Sequence, residues 1–213
     1  MRKRWKEVVT IGTHILDVLD ADIRGCVGKP NPEDMLITLY IDFWRALKLR
    51  AGTSSGFSGL SEYLFFRYVL FFIETTFGIK LVAQQCTKDT CIFQADSVLV
   101  TRDVRVSQFD STAPNQKTDI AIFTRQNEPT GWRLVSAFEI KIGITGPVEL
   151  TRMFERLNLL LRCSKANVFP VVFNSLNTAP QYKSAFDLFC SQSSARAFVI
   201  SKSYANDACY LAR

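Results

Sequence analysis

The chain predicts an α/β (α+β) fold: a mixed central β-sheet flanked by helices, with an N-terminal helical extension. Three observations predict it. Apolar residues recur near helical spacing across much of the first fifty residues and again in later segments. Between them lie short runs rich in β-branched and aromatic residues, bounded by turn-forming residues. After residue 59 the segments follow the order helix, three or four strands, helix, strand, helix, strand, which packs as a sheet covered by helices. A length of 213 residues, with 47% apolar and 22% charged content, suits one domain with a full core.

Trp5, Val8, Val9, Ile11, Ile15, Leu16, Val18 and Leu19 share a helical period, and GKPNPED then breaks the chain. A second helix starts at Glu33 or Asp34 and runs through MLITLYIDFWRALKL. The segment 51–59, AGTSSGFSG, holds four Ser/Thr and three Gly in nine positions and reads as a hinge or a mobile loop at a substrate. Residues 1–58 are therefore expected to form a helical segment with its loop, and 59–213 the core domain.

Ser61 is a plausible cap for the next helix, which continues through Thr76. IKLVAQQ and SVLVTRDVRV read as strands, the second alternatively as part of a long hairpin. TDIAIFTR and WRLVSAFEIKI then form adjacent strands about a turn centred on Pro129, Thr130 and Gly131. A helix is expected from Pro147, since proline suits a first turn, followed by the buried strand VFPVVF, the helix APQYKSAFDLFCSQ and a last strand ARAFVIS.

Several function classes recede on composition. The strongest apolar run, Tyr63 to Ile73, is too short to span a bilayer core of about 30 Å. MRKRWKEVV leads into no apolar stretch of signal-peptide kind, so a cytoplasmic location with no membrane partner is expected. The six cysteines read as reduced, buried thiols. Cys86 and Cys91 have a spacing permissive for zinc, but with His14 the only histidine a structural site would need at least three of the scattered cysteines. The net charge of +6 makes a polyanionic partner plausible. No GxxxxGK[ST] loop is present, which ranks a small-phosphosubstrate enzyme low.

The chemistry concentrates between Thr118 and Lys141. Alternation along the Glu139 strand puts Leu134, Phe138, Ile140 and Ile142 on one face and Ala137, Glu139, Lys141 and Gly143 on the other. Asp119 opens the preceding strand, with Ile120 and Ile122 alternating from it. A charged pair late in an apolar strand is costly unless it meets solvent, a cleft or an ion. Two carboxylates can hold one or two Mg²⁺ ions, and an ammonium can orient water or steady a phosphoryl transition state.

Asp119, nineteen intervening residues, then Glu139-Ile140-Lys141 resembles the D…ExK core motif of the PD-(D/E)xK phosphodiesterases, the restriction-endonuclease-like fold. With element order included, the likeness covers roughly residues 60 to 200. The proline that usually precedes the aspartate is Thr118 here. The resemblance implies catalytic and metal roles for Asp119 and Glu139, a catalytic role for Lys141, and a further carboxylate on the upstream helix at Glu62. It also points to the helix after the ExK strand, where Arg152 and Arg156 are candidate DNA contacts and Glu149 lies in the first turn.

The implied function is an Mg²⁺-dependent endonuclease, Mn²⁺ substituting, that cuts double-stranded DNA as a stand-alone type II restriction endonuclease does. Such enzymes act as homodimers, because a two-fold protein cuts both strands of a two-fold site. A structure-specific junction or repair nuclease is the alternative within the fold. From another class, a catalytically silent nucleic-acid-binding module would use the acidic residues in a strand-end salt bridge with Lys141. Asp89, Asp96, Asp103 and Asp110 offer rival carboxylates.

Overall fold

The computed structural model describes residues 16–51, 59–87, 90–126, 131–142, 144, 146–173, 180–193 and 196–201. Among the described residues, five helices flank a seven-stranded mixed sheet. A helix described over 16–26 (α1) precedes α2 (Pro32–Ala51) and α3 (Leu60–Phe77). Five strands follow: β1 (Val82–Cys86), β2 (Cys91–Ala95), β3 (Val98–Arg105), β4 (Lys117–Arg125) and β5 (Trp132–Lys141). The chain then runs through α4 (Pro147–Ser164), β6 (Asn167–Val172), α5 (Pro180–Gln192) and β7 (Ile200–Ser201). The strands lie in chain order, antiparallel from β1 to β5 and parallel across β5, β6 and β7. Among the described residues, no helix is long and apolar enough to cross a membrane.

Each face of the sheet carries its own core, as the period of two requires. Val100, Ile120, Phe138, Ile140, Phe169 and Val171 point toward α1, α2 and α3. Leu99, Ala121, Phe123, Ala137, Val168 and Val172 point toward α4 and α5. The helix α3 is apolar nearly all round, so it lies deep: Phe65 packs against Phe138 at 5.4 Å and edge-on to Phe173 at 6.2 Å between ring centroids. It ends at Gly78, whose φ of 63° is the left-handed conformation glycine adopts without steric cost. Asp20 ties α1 to α3 by accepting from Arg67 Nε at 2.8 Å and from the Tyr63 hydroxyl at 3.2 Å.

On the opposite side, α4 starts at Pro147 as expected and buries Leu150, Met153, Leu157 and Leu160, a stripe at three- and four-residue intervals. Phe154 stacks on Phe189 of α5 at 4.4 Å. This packing aims the remaining face of α4, with Arg156, at the ends of β4 and β5.

Several expectations are corrected. Five strands, not three or four, separate α3 from α4, because Cys91–Ala95 forms β2. Its side chains are all half-buried and those of β1 all exposed, so neither shows the burial alternation that marks a strand. Ser61 is not a cap: Gly59 is the N-cap residue, without a side-chain bond, and Ser61 is buried inside the first turn. Leu134 lies on the α4 face rather than with Phe138. The register slips between Ile122↔Ser136 and Phe123↔Leu134, so Val135 is an extra residue that inverts the phase. The last strand shrinks to Ile200–Ser201 plus a lone bridge from Ala197 to Val168. Pro170, which has no N–H, sits between those contacts and interrupts the ladder. Residues 52–58 of the expected hinge, and Pro129 and Thr130 of the expected turn, lie outside the described residues.

Candidate active site

The strands place Asp119 and Glu139 side by side. The last antiparallel pair of β4 and β5 at this end is Ile120↔Phe138, and one further step of the same register sets Asp119 opposite Glu139. Both project toward the α4 face, because their neighbours two residues along, Ala121 and Ala137, do so. Pairing stops here: the Asp119 carboxylate accepts the Ile140 N–H at 2.6 Å, replacing a ladder bond with a side-chain bond.

Glu139 is 2% exposed, an expensive location for a carboxylate. Two cations meet it. Arg156 of α4 donates from Nη1 to Glu139 Oε1 at 2.5 Å, and Lys141 approaches the same oxygen at 3.4 Å. Arg156 also donates from Nη2 to the Lys117 carbonyl at 2.7 Å, and Gln116 Nε2 donates to the Arg156 carbonyl at 3.1 Å. One guanidinium thus joins α4 to the start of β4 and the end of β5.

Despite these ion pairs, the Glu139 carboxyl is pushed up to about 7, first by burial and then by the charge of Asp119. The cations do not cancel this because both are partly solvated: the Arg156 and Lys141 side chains are 40% and 27% exposed. Asp119 is also raised, chiefly by burial, against the Ile140 N–H, Lys141 and Arg156. The site therefore holds two carboxylates that repel one another in a poorly hydrated corner.

Glu62 lies on α3, which packs on the face of the sheet opposite α4. Its carboxyl is half-buried and raised, first by desolvation and then by Asp119, with Arg102 pulling the other way. It shares the electrostatic field of the site, yet no group of three His, Cys, Asp or Glu side chains among the described residues is gathered closely enough to hold a metal ion. The inner pair is Asp119 and Glu139. Mg²⁺ is often held by one or two carboxylates, with water and phosphate completing its shell, so this oxygen donor set and its uncancelled repulsion suit that ion. Arg152 stands exposed one turn before Arg156, and Glu149 is half-buried in the first turn of α4.

Two further residues join the site that motif spacing does not single out. Asp103 lies between the pairs Arg102↔Ile120 and Val104↔Thr118, which sets it opposite Asp119. Its φ of 52° is unusual within a strand, though aspartate tolerates it, and both its oxygens accept from Lys117 Nζ at 3.0 Å. The signal for both was their charge; only the β3–β4 register reveals the position. Of the other rival carboxylates, Asp110 is structural: its oxygens accept from the Thr112 N–H and hydroxyl and from the Leu134 N–H. Asp89 lies outside the described residues. Among the described residues the cysteines gather no metal cluster either, and Cys86 is the register partner of Cys91 across the β1–β2 pair.

Comparison with protein-family models, with curated proteins and with solved structures returns no match to this chain.

Proposed function

We propose that this chain is a metal-dependent DNA endonuclease of the PD-(D/E)xK, restriction-endonuclease-like type, hydrolysing phosphodiester bonds in double-stranded DNA. One observation carries the reading: Asp119 and Glu139 lie side by side at the ends of adjacent strands, with Lys141 two residues beyond Glu139 on the same face. The order helix α3, strands β1 to β5, helix α4, strand β6 supports it, since the resemblance includes a helix before the core strands and a helix after the ExK strand. The excess of positive charge supports a polyanionic substrate.

In this reading Asp119 and Glu139 hold Mg²⁺, or Mn²⁺ in its place, with Glu62 as a more distant carboxylate. A cation held there would neutralise phosphate charge and would lower the pKa of a coordinated water. Lys141 supplies a mobile ammonium beside the scissile phosphate, where it orients the attacking water and offsets charge growing on the phosphoryl oxygens. Arg156 steadies Glu139 and, with the exposed Arg152, offers the DNA backbone charge-assisted bonds. A homodimer acting on a two-fold site is the expected assembly, in the cytoplasm.

The Lys141 to Glu139 ion pair favours a second reading, a catalytically silent nucleic-acid-binding module in which that pair is structural. A substrate panel separates the possibilities. Unmethylated plasmid, linear phage DNA, nicked duplex and a four-way junction are incubated with the purified protein and Mg²⁺ or EDTA. Discrete duplex fragments identify a restriction-type enzyme, and preference for the junction identifies a structure-specific one. DNA binding without cleavage, indifferent to Mg²⁺, identifies the silent module and overturns the proposal.

A further inference from the structure

The hairpin at the edge of the sheet carries two thiols in direct opposition: Cys86 of β1 and Cys91 of β2 are register partners. One step toward the turn, the Thr87 N–H donates to the Thr90 carbonyl at 2.8 Å, so Thr87 and Thr90 form a hydrogen-bonded pair. Bonded and non-bonded pairs alternate along an antiparallel ladder, which makes Cys86 and Cys91 a non-bonded pair. In such pairs the Cα atoms lie about 4.5 Å apart and the side chains share a face at closest approach. A disulfide needs a Cα separation of about 4.4–6.8 Å, so the backbone already meets its requirement.

The thiols are reduced and differ in access. Cys86 is exposed and Cys91 half-buried. The Cys91 thiol is pushed up to about 11, first by burial and then by its hydrogen bond with Cys86. The remaining described cysteines, Cys26 in α1, Cys163 in α4 and Cys190 in α5, lie on separate helices.

We propose that Cys86 and Cys91 form a dithiol site for exchange with low-molecular-weight disulfides such as oxidised glutathione. Exposure makes Cys86 the entry thiol. Its thiolate attacks one sulfur of the small disulfide; a protein mixed disulfide forms, and one small thiolate leaves with the bonding electrons. Cys91 then gives up its proton and attacks the Cys86 sulfur, expelling the second small thiolate. Two protein thiols are oxidised, and one small disulfide is reduced to two thiols. The product staples an edge hairpin whose exposed β1 has no other strand beyond it among the described residues. Cys91 is in turn the register partner of Arg102, whose charge reaches Glu62, so the staple fixes the strand beside the candidate site.

The test treats the full chain, without denaturant, with oxidised glutathione, then alkylates it for intact-mass and peptide analysis. The expected result is a cross-link mapping to Cys86 and Cys91, with no glutathione retained on either of them. In Cys91→Ser the mixed disulfide on Cys86 should accumulate at least about tenfold above wild type, because the resolving thiol is gone. Glutathione retained on wild-type Cys86, a cross-link between other cysteines, or no thiol loss would each overturn the proposal.

Discussion

Arg156 Nη1 donates to Glu139 Oε1 at 2.5 Å while Nη2 of the same guanidinium donates to the Lys117 carbonyl at 2.7 Å. A residue of α4 therefore closes the end of the sheet where the candidate chemistry lies, and it does so through geometry that a lysine cannot reproduce. Arg156→Gln should cost about 2 kcal/mol of stability at pH 8, where Glu139 is ionised, and less than half of that at pH 5. Arg156→Lys should recover only part of the loss. Urea denaturation of the three proteins at both pH values checks this.

Glu139 gives the protein a predictable pH dependence. Its carboxyl is raised in the fold from an ordinary 4.5 to about 7. Between those values the unfolded chain has released a proton that the folded chain still holds, so this group's stabilising contribution is complete below about pH 4.5 and is lost as pH rises toward 7. Glu139→Gln should remove that slope, with a relative gain on the order of 3 kcal/mol by pH 8. Stability measured across pH 4 to 8 should show the wild type falling against the variant. Parallel curves would contradict the assignment.

Asp110 behaves in the opposite sense. Burial alone would raise its carboxyl, but bonds from Thr112 and Leu134, with help from Arg133, outweigh burial and hold it below its ordinary value. Its contribution is present above pH 3.8 and is lost as pH falls below that. Asp110→Ala should cost about 2 kcal/mol at neutral pH, through the orphaned Leu134 N–H, and leave DNA cleavage by the remaining folded protein unchanged. That outcome separates a structural carboxylate from the site pair.

How far the site was legible differs from one residue to another. The β4 and β5 strands stood out because long alternating apolar runs flank a turn, and this sufficed to bring Asp119 beside Glu139. The inversion of Leu134 was hidden, since one extra residue at Val135 changes the face without changing composition. Arg156 was singled out as a candidate DNA contact on a basic helix, not as a partner of Glu139. Its bond to Glu139 depends on where α4 lies over the sheet, which is set by Met153, Leu157 and Leu160 burying against the strands. The placement of Asp103 opposite Asp119 likewise follows from strand register, which a single sequence does not state.

Lys141 is the residue whose loss should separate chemistry from folding. Its ammonium is a lesser partner of Glu139, which keeps its bond to Arg156 when Lys141 is removed. Lys141→Ala should therefore change stability by less than about 1 kcal/mol while lowering the cleavage rate on the order of a hundredfold. Equal losses of stability and rate would instead mark it as structural.

The most direct measurement of the central claim is a plasmid-cleavage time course with wild type, Asp119→Asn and Lys141→Ala, each verified as folded by circular dichroism, in Mg²⁺ and in EDTA. Cleavage by the wild type in Mg²⁺ alone, abolished in Asp119→Asn and strongly reduced in Lys141→Ala, is the predicted result. Cleavage that persists in EDTA or in folded Asp119→Asn would contradict the account.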